Sequence, residues 1–124
     1  MQITIDTSNT IPVYEQIIEQ IQQGVLSGKL KTGSPLPSIR QLADDLEINP
    51  NTVAKAYQFL ERSHVIETAG RRGTMVRKDA SVNIDRHLEL EVTHKMSDLC
   101  SDFLKSGIEK DKLRKILAEV LSKL

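Results

Sequence analysis

Apolar residues recur at three- and four-residue steps in five stretches of the chain, and at two-residue steps in one short one at its start. The first helical stretch opens around Thr10 and Pro12, carries Tyr14, Ile17, Ile18, Ile21, Val25 and Leu26, and ends at Gly28. Residues 30–37 hold Gly33, Pro35 and Pro37 and read as a loop. Two short helices follow. Ser38, with Gln41 three residues on, has the form of a capping box, and Ile39, Leu42, Ala43 and Leu46 make one apolar face. Asn49 is a strong N-cap residue, and Pro50 stands at the first helical position, where its missing N–H costs nothing. Val53, Ala56, Tyr57 and Leu60 form the apolar face of that second helix. Residues 65–68 and 74–76 have β-type composition around an Ala-Gly-Arg-Arg-Gly tip, which predicts a hairpin. Residues 1–6 alternate and predict a short edge strand.

After a polar connector at 79–83, two more helical patterns appear. One runs from about 84 to 106 with Leu88, Val92, Met96, Leu99 and Phe103 on one side; Gly107 stops it and Ile108 closes the end in a Schellman cap. The other, 110–124, carries Leu113, Ile116, Leu117, Val120, Leu121 and Leu124 in a single stripe. The fold class is therefore mainly α with a small β-hairpin. Its expected parts are a three-helix domain with a hairpin wing over residues 1–78 and a two-helix tail over 79–124.

The polar side of the second short helix has its own character. At about 100° per residue, Asn51, Lys55, Gln58 and Arg62 gather opposite the apolar face, with no carboxylate among them. Asparagine can pair bidentately with adenine, and lysine can donate to guanine acceptors or to phosphate. Thr52 beside them can reach a phosphate or a thymine methyl. The arginine-tipped hairpin suits a phosphate or a narrow minor groove. Any one of these features alone fits an ordinary solvated helix face or a solvated hairpin. Together they describe a helix-turn-helix with a wing.

The stretch LPSIRQLADDLEINPNTVAKAYQFLE, continued by VIET and RRGTMV, resembles the winged helix-turn-helix domain of GntR-family bacterial transcription regulators. The wording NPNTVAKAY with a short tail is most similar to the YtrA subfamily, and the likeness is strong over about residues 10–78. Glu47 and His64 stand where the family usually has glycine, at the corner between the helices and just after the second helix. If those backbones are left-handed, each side chain costs on the order of 1 kcal/mol. The tip glycine falls at Gly70 and Met75 replaces a phenylalanine, which leaves open whether Arg71 or Arg72 enters the groove.

Overall charge adds nothing, at 17 basic against 17 acidic residues. Locally, Arg62, Arg71, Arg72, Arg77 and Lys78 face only Glu67 between positions 62 and 78. The single cysteine, Cys100, excludes an intramolecular disulfide and fits a reducing cytoplasm. No signal peptide or membrane span is present, so a soluble, cytoplasmic protein is expected. His87, Glu91, His94 and Asp98 line one face of the fourth helix, almost opposite its apolar stripe, and read as a solvated face; no metal and no cofactor is expected. An enzyme is excluded by the lack of a paired-carboxylate site, a nucleophile with its base, or a phosphate-binding glycine loop.

The function expected is a sequence-specific, DNA-binding transcription regulator, a repressor that occupies a palindromic operator as a homodimer. The alternative is a winged-helix protein-interaction module without DNA binding. Asn51 and Lys55, joined by Arg40, are expected to read base edges. Ser38, Thr52, Gln58 and Arg62 are expected at the phosphate backbone, Arg71 and Arg72 at the minor groove, and Asn49 among the DNA-binding residues without an assigned contact. The tail cannot leave its apolar stripe in water. Either it folds back on its own winged domain, or Leu88, Val92, Met96, Leu99, Phe103, Leu113, Ile116, Leu117, Val120 and Leu121 meet a second copy. The resemblance implies the second, because the short helical tail of this subfamily is its dimerisation element. Any small-molecule effector must then bind at the dimer interface or between tail and wing.

Overall fold

The computed structural model describes residues 2–124. In chain order it has helix α1 (Val13–Leu26), strand β1 (Pro35–Leu36), helices α2 (Ile39–Leu46) and α3 (Pro50–Arg62), strands β2 (Ile66–Thr68) and β3 (Thr74–Val76) around a 3-10 turn (Gly70–Arg72), and helices α4 (Ala80–Lys105) and α5 (Lys110–Lys123). Two compact units divide it, Met1–His87 and Leu88–Leu124.

The first unit is built on α1, α2 and α3. Ile17, Ile18, Ile21 and Val25 turn one face of α1 inward, and Leu42, Ala43, Val53, Ala56, Tyr57 and Leu60 join them from α2 and α3. Burying each of the larger aliphatic side chains contributes roughly 1.5–3 kcal/mol, which holds the three helices together without help from their marginal intrinsic stability. Leu26, expected inside, is 42% exposed; Gln16 takes a buried place instead. It does so because both ends of its amide are used. Oε1 accepts from the Asp6 amide, and Nε2 donates to the Asp6 and Ile11 carbonyls. Gln20 treats Thr4 in the same way one turn later, accepting from its amide and donating to its carbonyl.

These two glutamines correct the expected edge strand at 1–6. Met1 lies outside the described residues, and residues 2–6 belong to no strand. Their alternation is real, since Ile3 and Ile5 pack against the core. The backbone partners of Thr4 and Asp6, however, are side chains of α1 rather than a neighbouring strand.

The sheet is three-stranded and antiparallel in the order β1-β3-β2. The hairpin has the expected strands, with Thr68 opposite Thr74 and Ile66 opposite Val76. The third strand was not anticipated: Pro35 pairs with Met75 and Leu36 with Thr74, inside a stretch read as loop. Proline is tolerated there because β1 is an edge strand.

Helix α4 starts at Ala80, inside the supposed polar connector, and its first turns belong to the first unit. Ala80 is fully buried, Ile84 nearly so, and both join the core. In the second unit, α4 ends as expected: Gly107 (φ 105) donates to the Leu104 carbonyl and Ile108 to that of Phe103, the paired bonds of a Schellman motif. Among the described residues of this unit only Leu113 is buried. No helix of the described residues is long and apolar enough to cross a membrane.

Candidate nucleic-acid interface

Three local devices set the geometry of α2 and α3. Each helix is capped where the sequence indicated: the Ser38 hydroxyl accepts from the Gln41 amide at 3.1 Å, and Asn49 Oδ1 from the Asn51 amide at 2.8 Å. The Gln41 side chain makes no return bond among the described residues, so only half of the expected capping box forms. Each helix also ends in a Schellman motif with a non-glycine residue in the left-handed slot. Glu47 (φ 55) and Ile48 donate to Asp44 and Ala43; His64 (φ 59) and Val65 donate to Glu61 and Leu60. These are the two positions where the family pattern has glycine. The third device is Tyr57, whose ring is buried and whose hydroxyl donates to the Pro37 carbonyl at 2.7 Å. That bond ties the middle of α3 to the chain entering α2. Burial raises the phenol to about 12, so it stays a donor at any physiological pH.

With the apolar side of α3 buried, Asn51, Lys55, Gln58 and Arg62 are left exposed along the opposite side. They lie within about 60° of arc and span about 16 Å of helix. A helix presenting such a row fits a major groove about 12 Å wide. Thr52 is half-buried at the edge of the row, and Arg40 is exposed on α2. Ser38 and Asn49 are exposed as well, but their side-chain oxygens are already engaged as caps. Glu61, the one carboxylate of α3, accepts from the Thr68 hydroxyl of β2 at 2.8 Å, which ties the helix to the wing.

On the wing, Arg71 and Arg72 are exposed within the 3-10 turn. Gly70 (φ 56) and Gly73 (φ 75, ψ −154) bracket them. The Gly73 conformation is closed to residues with a Cβ, so both arginines depend on it for their position at the tip.

Arg77 is removed from the basic cluster by its own contacts. Its guanidinium binds Asp79 at 2.9 and 3.1 Å and lies 3.2 Å from His64 Nδ1. A guanidinium only donates, so that nitrogen accepts and the ring proton sits on Nε2. Asn83 Nδ2 donates to the His64 carbonyl at 2.8 Å. The result is a polar clasp joining the end of α3, the strand leaving the wing and the start of α4. Hydrogen bonding to Arg77 first, then to Asn83, holds the Asp79 carboxyl below its ordinary range, and the Asp79 bond raises Arg77. The sequence signal for this clasp was thin, since Arg-Lys-Asp reads as a charged connector.

The polar line on α4 is divided among local pairs. His87 meets the Phe59 ring edge-on at 5.3 Å; His94 lies 3.5 Å from Asp98, and Lys95 lies 2.8 Å from Glu91. Of the tail residues expected to meet a partner, Leu88, Val92, Met96, Leu99, Phe103, Ile116, Val120 and Leu121 are exposed by 39–70%. Leu117 is half-buried. Leu113 is buried within the chain itself and so offers little surface.

Comparison with known proteins gives this geometry a context. Residues 13–76, the span from α1 to the end of the wing, match the model of the bacterial regulatory proteins of the gntR family. The chain is 38% identical over 118 residues to the HTH-type transcriptional repressor YtrA of Bacillus subtilis, covering 95% of this chain and 91% of that one. Among solved structures, a transcriptional regulator from Oenococcus oeni superposes with a TM-score of 0.69 at 31% identity, covering 98% of this chain and 99% of the other. YtrA from Sulfolobus acidocaldarius, a GntR-family transcription factor, does so at 0.63 and 31%, covering 98% of both. These likenesses run through the tail as well as the winged domain. With its capped helix pair, wing and full-length relatives, the chain belongs to the GntR family of bacterial regulatory proteins, in the YtrA subfamily: it is a DNA-binding transcription regulator and not an enzyme.

Proposed function

We propose that the protein is a repressor that binds a palindromic operator as a homodimer, with α3 of each copy in a major groove and each wing at the flanking minor groove. The observation that carries this is the exposed, carboxylate-free row on α3. Asn51 and Lys55, with Arg40, read base edges; Thr52, Gln58 and Arg62 hold phosphates, with the Ser38 hydroxyl proton and the Asn49 amide nitrogen free to donate at the backbone side; Arg71 and Arg72 meet the minor groove. The second copy is supported by the tail. Its apolar stripe stays exposed in the single chain, and burying eight such side chains against their symmetry mates is a strong drive to associate. Two recognition helices then face half-sites about one helical turn apart, and occupancy of promoter DNA suffices to repress.

Selection of bound fragments from random DNA, followed by a mass measurement of the complex, tests this reading. A palindromic consensus carried by two copies of the chain is expected. A single half-site bound by one copy would refute the dimer, and fragments without a consensus would refute sequence-specific reading.

A further inference from the structure

Lys55 differs from the other lysines whose contacts are defined on helix surfaces. Lys95 and Lys123 pair with a carboxylate one turn earlier, whereas Lys55 makes no ion pair among the described residues. Its ammonium instead lies 4.0 Å from the centre of the Tyr14 ring, on the first turn of α1. Tyr14 packs half-buried at the edge of the core, so its ring is fixed by the fold rather than by the lysine. Its hydroxyl is 3.2 Å from Glu15 Oε1, and donation to a carboxylate enriches the ring in electron density on the face a cation sees.

We propose that Tyr14 is a positioning residue for DNA recognition: its ring holds the Lys55 ammonium out over the groove face of α3. A lysine stem is long and rotamer-rich, and ordering it on binding is costly. A cation over an aromatic face at an exposed site gains about 0.5–1 kcal/mol. The ring occupies one side of the ammonium only, and leaves N–H donors for the O6 and N7 acceptors of a guanine. Tyr14 thereby sets how sharply one base pair is read, although it lies on a helix outside the helix-turn-helix. The inference rests on the reading of Lys55 as a base contact.

The test measures binding of the full-length protein to the selected operator and to its single-base-pair variants, for the parent, Tyr14→Leu, Tyr14→Phe, Lys55→Ala and the Tyr14→Leu/Lys55→Ala double variant. Tyr14→Leu is expected to lose about two- to fivefold in preference at the base pair that Lys55→Ala relaxes. Tyr14→Phe should retain it, and the leucine should have no further effect once Lys55 is gone. A loss spread evenly over all base pairs, an equal loss in the Lys55→Ala background, or tighter binding by Tyr14→Leu would overturn the proposal. If Lys55→Ala itself changes nothing, the groove-face reading fails and takes this inference with it; if Lys55→Ala relaxes one pair and Tyr14→Leu does not, only the inference fails. Should Tyr14→Leu not fold, the parent still decides: NMR must show the Lys55 side-chain methylene protons shifted upfield by the ring, and ordinary shifts there would overturn the proposal.

Discussion

Replacing Glu47 by glycine isolates the cost of turning the helix-turn-helix corner on a residue that carries a side chain. Glu47 sits at φ 55 and ψ 45, where a Cβ crowds the following carbonyl at a cost of roughly 1–2 kcal/mol. Glycine removes that crowding but makes the unfolded chain more flexible, which returns about 0.4–1 kcal/mol. The bonds from residues 47 and 48 to the Asp44 and Ala43 carbonyls are backbone bonds and survive the change. The net expectation is a gain of about 0.5–1 kcal/mol, or about 2–8 °C in the melting temperature of a unit this size. A second effect has to be separated from strain. Glu47 also places a carboxylate at the negative end of α2, beside Asp44 and Asp45, and Glu47→Ala removes that charge while keeping the Cβ. Charge relief at an exposed helix end contributes about 0.3 kcal/mol or a little more, so alanine should gain clearly less than glycine. Urea and thermal unfolding of the three proteins at one fixed concentration provide the comparison, because self-association shifts midpoints. A glycine variant no more stable than the parent would refute the strain argument. An alanine variant as stable as the glycine one would place the cost in the charge.

Other outcomes follow from the same contacts. Tyr57→Phe removes the bond to the Pro37 carbonyl and should cost about 1 kcal/mol in chemical unfolding. The parent phenol is raised in the folded state, so stability is fully present below about pH 10, the ordinary tyrosine value, and falls toward pH 12 as the unfolded chain ionises first; the phenylalanine variant should lose this alkaline dependence. Asp79 is lowered by Arg77, so its contribution is present above the ordinary carboxylate range and lost as pH falls through its depressed folded value; Asp79→Asn should flatten the acid limb of stability against pH, and an unchanged limb would contradict the clasp. Leu99→Glu, on the exposed stripe of α4, should turn the proposed dimer into a monomer in sedimentation while the far-ultraviolet spectrum stays helical, and a dimer persisting in the variant would exclude that face.

The helix pair and the exposed row on α3 were legible in the sequence because their signals are local. Ser38, Asn49 and Pro50 mark helix starts within one turn, and the α3 row follows from helical period once Val53, Ala56 and Leu60 are taken as core. Glu47 and His64 stood out in the sequence as positions where the family pattern has glycine, and both have a left-handed backbone. What was missed depends on partners distant in sequence. Strand β1 exists because Pro35 and Leu36 meet Met75 and Thr74, and nothing within the Pro- and Gly-rich stretch announces that pairing. Residues 2–6 show strand-like alternation, yet Thr4 and Asp6 bond through their backbone to Gln20 and Gln16. Arg77 counted as groove charge until Asp79 and His64 were seen to hold it. Tyr14 looked like one more apolar helix position, and the proximity of Lys55 is what supports the further role proposed for it.

Asn51 and Lys55 on the outer row of α3 are proposed to read bases, while the wing supplies sequence-blind attraction. The most direct test is an affinity scan over every single-base-pair variant of the operator, repeated across salt concentrations, for the parent, Lys55→Ala and Arg72→Ala. Lys55→Ala should cost about 1–3 kcal/mol and flatten preference at one base pair per half-site. Arg72→Ala should weaken all sequences alike and reduce the salt slope by about one. If both variants bound every operator variant as the parent does at ordinary salt, neither α3 nor the wing would lie in a groove as described.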